Sequence, residues 1–192
     1  LYGLAPLCAG TVRYGGAAVT PTPQRAIAAG VGLVHQHFVL LPSLTVAENV
    51  VFGWEPRRGP LFERAAAEAQ VAALSARYGL AVDPRRRLGD LSVGERQRVE
   101  ILKILHRGAR LLVLDEPTAV LTPAEATHLL TVLRALCHDP PAGEPRRALL
   151  LVTHKLDEVI AVADRVAVLR RGQLVAHFAH AGDNTPPINE AA

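Results

Sequence analysis

Residues 92–95 open a segment whose side chains and main chain could bind an anion. Ser92, Val93, Gly94 and Glu95 precede apolar residues at helical spacing, and Ser92-x-x-Glu95 has the form of a capping box. The start of such a helix presents free amides and the positive end of the helix dipole, which suits the terminal phosphate of a nucleotide. Glycine at position 94 lets a ligand come close to the main chain. A capped helix start is common, so this segment alone does not establish a site.

A second candidate is the pair of carboxylates at residues 115 and 116. Asp115 and Glu116 follow an apolar run at residues 111–114, and open α/β sheets bind ligands beyond the carboxyl ends of their strands. An aspartate there can hold Mg²⁺ through water, and the neighbouring glutamate can orient or deprotonate an attacking water. A solvated turn explains the pair equally well.

Two further polar residues follow apolar runs of strand length. Gln36 comes after residues 31–35 and could reach both a Mg²⁺ ion and a water molecule. His154 comes after residues 149–153 and could donate a hydrogen bond to a γ-phosphate. Taken singly, each is more often a surface or structural residue.

The elements that must position these residues alternate between strand and helix. The apolar runs at 31–35, 111–114 and 149–152 predict buried parallel strands. Capping residues and helical periodicity predict helices at 45–51, 61–78, from 93 onwards, and at 123–136. Residues 165–169 and 173–176 predict a hairpin, and the proline-rich stretch 138–147 predicts a connection with little order. The pattern is that of an α/β protein.

Composition narrows the class of protein. The net charge is +3, and the basic residues are scattered in short groups, so a nucleic-acid surface is not indicated. The two cysteines lie far apart, as in a protein of a reducing compartment, and no apolar stretch is long enough to span a membrane. The chain has no methionine and begins at Leu1, so we expect the true amino terminus to be missing.

A glycine-rich phosphate loop, G-x-x-x-x-G-K-[ST], would be expected upstream of these candidates. The chain has two lysines, Lys103 and Lys155, and neither follows a glycine. The 192 residues therefore carry part of a nucleotide site.

The candidate segments follow one another in a recognisable order: Gln36, residues 91–95, residues 111–116, residues 118–122 and His154. In this order they resemble the glutamine loop, signature, Walker B strand with catalytic glutamate, D-loop and switch histidine of the nucleotide-binding subunit of ATP-binding cassette (ABC) transporters. The resemblance covers about residues 10–174. It implies a P-loop NTPase-like parallel sheet core at 1–37 and 109–178, incomplete in its amino-terminal part, an inserted α-helical subdomain at about 38–108, and an unpatterned tail at 179–192.

The exact residues of four segments are similar to those of one branch of that family, the importers of simple sugars and purine nucleosides. The segments concerned are 34–38 (VHQHF), 44–50 (LTVAENV), 91–103 (LSVGERQRVEILK) and 115–123 (DEPTAVLTP). In such importers two cassettes stand in tandem, and this wording resembles the first. Val93 and Glu95 replace the usual glycine and glutamine of the signature, and Thr122 replaces a common aspartate; the branch tolerates all three.

The resemblance implies a division of roles among the candidate residues. Glu116, His154 and Gln36 would be catalytic, and Asp115 and Gln36 would hold Mg²⁺. Ser92, Val93, Gly94 and Glu95 would contact an ATP molecule bound mainly by a second cassette. The implied partners are that second cassette, in tandem or as a dimer, transmembrane permease subunits and, indirectly, a substrate-binding protein. The implied location is the cytoplasmic face of the cell membrane, as a peripheral protein.

Two other functions stay open. One is a non-transport ATPase of the same superfamily, acting in DNA repair or translation, against which the wording around Gln36 and the lack of a coiled-coil insertion argue. The other is a non-enzymatic interaction module, which the absence of the phosphate loop and its lysine favours for these 192 residues alone. The reading that we prefer is an ATP-hydrolysing importer subunit, with the isolated chain inactive.

Overall fold

The computed structural model describes residues 2–35 and 38–179. Its elements, in chain order, are β1 (Val12–Tyr14), β2 (Ala17–Val19), α1 (Pro23–Ala28), β3 (Val31–Val34), α2 (Val46–Val51), β4 (Arg57–Arg58), β5 (Leu61–Phe62), α3 (Arg64–Tyr78), α4 (Val93–His106), β6 (Leu111–Asp115), α5 (Pro123–His138), β7 (Ala148–Val152), α6 (Leu156–Val162), β8 (Arg165–Arg170) and β9 (Gln173–Ala179). The chain divides into two compact units, Leu1–Val152 and Thr153–Ala192. Gln36 and the predicted tail beyond residue 179 lie outside the described residues.

The three apolar runs form one parallel sheet in the first unit, as predicted. The strand order is β3-β6-β7, with Val31 opposite Leu111 and Leu111 opposite Ala148. β6 is therefore the central strand, and its Leu112 and Leu114 are fully buried. Because the strands are parallel, their carboxyl ends meet at one edge of the sheet, and that is where Asp115 lies.

Two helix ends of the first unit lie where capping residues predicted them, the start of α2 and the end of α3. α2 starts with a capping box in which the Glu48 amide donates to Thr45 Oγ1 (3.2 Å) and the Thr45 amide donates to Glu48 Oε2 (2.8 Å). α3 ends at Gly79, whose φ of 66° is the left-handed conformation that closes a helix.

The predicted start of α3 at Leu61 was wrong by three residues. Leu61 and Phe62 form β5, which pairs antiparallel with β4 across a turn at Gly59, where φ is 65°. A two-residue pairing of this kind leaves no periodic signal in the sequence. The alanine-rich stretch after it supplies the helix propensity, so the helix begins at Arg64.

α4 is the helix against which much of the first unit packs. It contacts α2, α3 and β3. A side chain at Gly32 of β3 would place its Cβ 2.8 Å from Ile104 Cβ and 2.9 Å from Ala109 Cβ, so glycine at 32 lets helix and sheet approach. The core that results includes Val34, Val50, Val71, Ile101, Leu102, Leu112, Leu114 and Leu133.

The connection between α5 and β7 is irregular, as predicted, but it is not loosely held. Glu144 accepts a hydrogen bond from Tyr78 Oη (2.6 Å) and forms ion pairs with Arg77 and Arg147, each at 2.6 Å. Arg147 also donates to the Ala109 carbonyl oxygen (3.2 Å) and to Tyr78 Oη (2.8 Å). The expectation of little order was wrong because it considered only the composition of the segment and not these distant partners.

In the second unit, the described residues form α6 and the antiparallel hairpin β8–β9. The hairpin was predicted, and both strands are longer than expected. Its turn residues Arg171 and Gly172 have φ of 52° and 79°, which matches the left-handed conformation of two-residue hairpin turns. Among the described residues, no helix is both long and apolar enough to cross a membrane.

Candidate functional site

The start of α4 forms the capping box that the sequence predicted. Ser92 is exposed and extended, its Oγ accepts from the Glu95 amide (3.2 Å), and its own amide donates to Glu95 Oε2 (2.8 Å). Val93, which follows, is 40% exposed. Ser92 and Val93 are thus open to a ligand at the positive end of the helix.

The carboxylate of Glu95 is paired within the chain. Arg86 Nη1 lies 2.6 Å from Glu95 Oε1. Burial raises the pKa of Glu95, but hydrogen bonds from Ser92 and the nearby charges of Arg86 and Arg98 outweigh it, so the pKa lies below its usual value. Glu95 is therefore ionised at neutral pH, and the guanidinium of Arg86 offsets its charge where an anionic phosphate would approach.

Gly94 faces a residue that the sequence analysis missed. Gly94 is buried, and a Cβ built on it would overlap Oε1 of Glu125. Glu125 belongs to the capping box of α5: its Oε2 accepts from the Thr122 amide (3.0 Å) and from Thr122 Oγ1 (2.8 Å). The signal was present as Thr122-x-x-Glu125, but nothing in the sequence shows that this cap packs on Gly94. The start of α4 and the end of the segment that follows Glu116 therefore meet at Glu125.

Asp115 and Glu116 lie at the carboxyl end of the central strand, as predicted. The Asp115 side chain is exposed. The Glu116 amide donates to the Val152 carbonyl oxygen of β7 (2.9 Å), and the Glu116 carbonyl oxygen accepts from the Ala119 amide (3.1 Å). These bonds hold Glu116 at a φ of 45°, a left-handed conformation that costs a non-glycine residue about 1–3 kcal/mol. Such strain clusters at functional sites.

A magnesium ion is compatible with the donors present at this edge. Within residues 2–35 and 38–179 there is no group of three or more His, Cys, Asp or Glu side chains that could hold a metal ion. Mg²⁺ does not require such a cage, because it commonly binds through one or two carboxylates, water and the phosphates of a substrate. The exposed carboxylate of Asp115 fits that mode of binding.

Two predicted site residues remain, His154 and Gln36. His154 lies in the second unit, with an exposed side chain between β7 and α6. Gln36 lies outside the described residues. The roles expected of His154 and Gln36 stay predictions.

Sequence comparison identifies relatives of the chain. Residues 1–119 match a family model described as ABC transporter. The nucleoside import ATP-binding protein NupA of Lactococcus lactis subsp. cremoris is 47% identical over 154 residues, which are 80% of this chain and 29% of that protein. The glucose import ATP-binding protein TsgD13 of Haloferax volcanii is 42% identical over 204 residues, covering 91% and 36%. The ribose import ATP-binding protein RbsA of Chelativorans sp. is 44% identical over 155 residues, covering 81% and 29%.

The fold is shared with solved structures of greater sequence distance. A nucleotide-free ATP-binding cassette from an ABC transporter superposes with a TM-score of 0.77 at 23% identity, over 93% of this chain and 72% of that one. A dimeric cassette in a post-hydrolysis state, bound to ADP and Pi, has a TM-score of 0.73 at 19% identity, over 92% and 75%. These likenesses confirm the P-loop NTPase fold that the motif order implied.

The chain spans 29–36% of the length of the three relatives named above. What those whole proteins do is therefore a property of longer molecules. The family itself is established, since the family model matches more than half of the 192 residues and the relatives are more than 40% identical over at least 80% of the chain. This chain belongs to the ABC transporter family, in the branch of sugar and nucleoside import ATP-binding proteins.

Proposed function

We propose that this chain is the ATP-binding part of an importer subunit that couples ATP hydrolysis to uptake of a sugar or nucleoside through a membrane permease. The observation that carries the proposal is Glu116, held in a strained conformation beside Asp115 at the carboxyl end of the central strand. The relatives, which include nucleoside, glucose and ribose import ATP-binding proteins, support the class of substrate.

In this proposal the two carboxylates divide the work of hydrolysis. Asp115 holds Mg²⁺ through water, and the ion, when bound, neutralises charge on the phosphates of ATP. Glu116 orients the attacking water and accepts its proton. Because the main chain of Glu116 is fixed, its carboxylate can occupy few positions. A general base needs such a fixed position to act on one particular water molecule. Gln36 and His154 complete the catalytic set, and Gln36 adds an oxygen ligand for Mg²⁺.

The start of α4 serves a different nucleotide. Ser92, Val93, Gly94 and Glu95 contact an ATP molecule that is held mainly by a second cassette, in tandem or as a dimer. Two features support this role. The exposed hydroxyl of Ser92 can donate to a phosphate, and the pairing of Glu95 with Arg86 offsets the negative charge that would repel it.

A groove in the first unit is the surface that we assign to the permease. It has a volume of about 320 Å³ and is lined by Leu44, Glu48, Val51, Phe52, Glu55, Arg57, Pro60 and Phe62. Phe52 is 51% exposed, and the nearby Trp54 is 49% exposed, which is a large apolar exposure for a solvated surface. Hydrogen bonds from Thr45 and Gly53 lower the pKa of Glu48 and Glu55, respectively, so both are ionised. Both carboxylates are already paired, Glu48 with Arg64 (2.8 Å) and Glu55 with Arg57 (3.2 Å). We expect a cytoplasmic permease segment with apolar side chains to bind here, with the chain at the cytoplasmic face of the membrane and linked indirectly to a substrate-binding protein.

The test is ATP turnover in an assembled system. This chain, preceded by a segment containing G-x-x-x-x-G-K-[ST] and paired with a second cassette and permease in vesicles, is expected to hydrolyse Mg-ATP in a manner stimulated by sugar or nucleoside. Glu116→Gln should lower the turnover by about 10²-fold or more while ATP still binds. Glu63→Gln, at an exposed glutamate without a capping bond, is the matched control and should keep wild-type turnover. Turnover that responds to DNA or ribosomes instead, or that survives Glu116→Gln, would refute the proposal.

A further inference from the structure

Three side chains hold the main chain of residues 39 and 41 in the way that a neighbouring strand would. The Val39 amide donates to Glu100 Oε1 (2.7 Å), and the Val39 carbonyl oxygen accepts from Lys103 Nζ (2.9 Å). The Leu41 amide donates to Asn49 Oδ1 (2.8 Å), and the Leu41 carbonyl oxygen accepts from Asn49 Nδ2 (3.0 Å). Alternate residues of the segment are thus fixed through both of their main-chain groups.

Two of the three side chains are buried, and Asn49 Nδ2 also donates to the Thr45 carbonyl oxygen (3.0 Å). Glu100 and Asn49 are 5% and 2% exposed, and a buried carboxylate or amide is costly unless it is hydrogen-bonded. Glu100 and Lys103 are one turn apart on α4, so one face of this helix binds both the amide and the carbonyl oxygen of Val39. Burial lowers the pKa of Lys103 although Glu100 acts to raise it.

The arrangement turns the side chains of the held residues outwards. Val39 is 63% exposed and Leu41 is 44% exposed. The same helix begins at the segment assigned to the second nucleotide. Arg107, which caps its carboxyl end, donates to the Phe52 carbonyl oxygen (3.0 Å) and stacks on Trp54, with 4.4 Å between the guanidinium carbon and the ring centre. α4 therefore connects the nucleotide-facing residues 92–95 to both exposed apolar segments, 39–41 and 52–54.

We infer that Glu100 and Lys103 on α4, together with Asn49 on α2, are positioning residues that hold the exposed segment 39–41 to these two helices and so couple ATP hydrolysis to transport. This inference rests on the proposed function, because it assigns to that function the residues that carry its coupling. None of the three contacts the nucleotide in this scheme. Their loss should therefore leave ATP turnover in place and lower the amount of substrate moved per ATP.

The first measurement is amide hydrogen exchange at Val39 and Leu41 in the full chain. Glu100→Met removes the acceptor for Val39 and should speed exchange at Val39 by about tenfold or more, with Leu41 unchanged. Asn49→Leu should have the reverse pattern. Glu100→Gln retains an acceptor oxygen and is the matched control. Equal exchange at Val39 in Glu100→Met and Glu100→Gln would overturn the inference.

The second measurement is substrate transported per ATP hydrolysed in the assembled transporter. Glu100→Met should lower this ratio several-fold relative to Glu100→Gln, whereas a purely structural role would lower expression or melting temperature and leave the ratio unchanged. If Glu100→Met does not fold, Lys103→Met, at a half-buried position, takes its place. A wild-type ratio with accelerated exchange at Val39 would overturn the inference. An assembly that hydrolyses no ATP would count against the proposed function instead, and the exchange pattern alone would still decide whether the three side chains hold the segment.

Discussion

Glycine at position 94 meets two separate demands. Close approach of a nucleotide to the main chain is one, and the packing of Glu125 against the same spot is the other, since a Cβ there would overlap Oε1 of Glu125. A double substitution at positions 94 and 125 separates these two roles, because the packing role affects the free energy of unfolding and the nucleotide role affects activity.

We expect Gly94→Ala to destabilise the chain by about 1–3 kcal/mol, because the methyl group forces the Glu125 carboxylate out of its capping position. In a Glu125→Ala background the same substitution should cost much less, since the obstructing carboxylate is gone. Urea unfolding of the wild type, both single variants and the double variant closes the cycle. If the double variant regains stability but still fails to activate the partner cassette, the nucleotide demand stands; additive costs would mean that Glu125 does not matter to Gly94.

At the scale of the element, three helices share one kind of start. Glu48, Glu95 and Glu125 each complete a capping box, at α2, α4 and α5. Hydrogen bonds from Thr45 lower the pKa of Glu48, and hydrogen bonds from Thr122 lower that of Glu125. For Glu95 burial acts to raise the pKa, but the hydrogen bonds from Ser92 and the charges of Arg86 and Arg98 together lower it.

A carboxyl group whose pKa is lower in the folded chain than in the unfolded chain stabilises the fold above its unfolded pKa. That stabilisation is lost as the pH falls through the folded value. We therefore expect the free energy of unfolding to fall as the pH drops below about 4.5, the ordinary glutamate value. A variant with glutamine at 48, 95 and 125 should be less stable at pH 7 and show a flatter pH profile, measured by urea unfolding between pH 7 and 3. Parallel profiles for the two proteins would contradict this account.

The anchor of the α5–β7 connection also belongs to this scale. The side chain of Arg147 is only 7% exposed and lies 2.6 Å from Glu144 and 5.2 Å from the centre of the Tyr78 ring. Arg147→Ala should cost about 3 kcal/mol, because it removes the buried cation that pairs with the Glu144 carboxylate. Arg146→Ala, at the exposed neighbouring position, should change stability by less than about 0.5 kcal/mol. The measurement is the melting transition of each of the two variants. Coincident transitions would show that the buried contacts of Arg147 contribute nothing to stability.

Elements were predictable from the sequence where their cause is local. Capping boxes, the glycine stop at 79 and the apolar runs of the sheet are written within a few residues of where they act. The short pairing of β4 with β5 and the contact of Gly94 with Glu125 join parts of the chain whose proximity no periodic pattern records. Val39 donates to Glu100 and accepts from Lys103, which lie 61 and 64 residues further along the chain. The sequence therefore does not show that Val39 is held or which residues hold it. The edge of the sheet could be predicted, whereas the surroundings of α4 had to be observed.

At the scale of the whole molecule, the proposed sites serve two nucleotides. If residues 92–95 face the nucleotide of the partner cassette, a substitution among them should impair the partner's nucleotide site and leave this chain's own site intact. Ser92→Arg should therefore abolish activity that depends on closure around the partner's nucleotide, because a long cation blocks the helix start, and leave ATP binding at this chain's own site unchanged. Ser43→Arg, at an exposed turn, is the control. Site-resolved affinity and turnover in the paired cassettes check this, and a loss of binding at the chain's own site would show that residues 92–95 had been assigned to the wrong nucleotide.

Selection for abundance and selection for activity should act in opposite directions at position 116. Glu116 and Arg171 are the non-glycine residues with positive φ among those described, and glycine or asparagine adopts that conformation more readily than either of them. In a library covering every amino acid at both positions, sorting for folded protein should enrich glycine and asparagine at 116 and at 171 alike. Sorting for ATP-driven uptake should keep that enrichment at 171, in a hairpin turn, and eliminate it at 116. A lineage released from the need to transport would then be recognisable by the residue it carries at 116, well before its fold had changed.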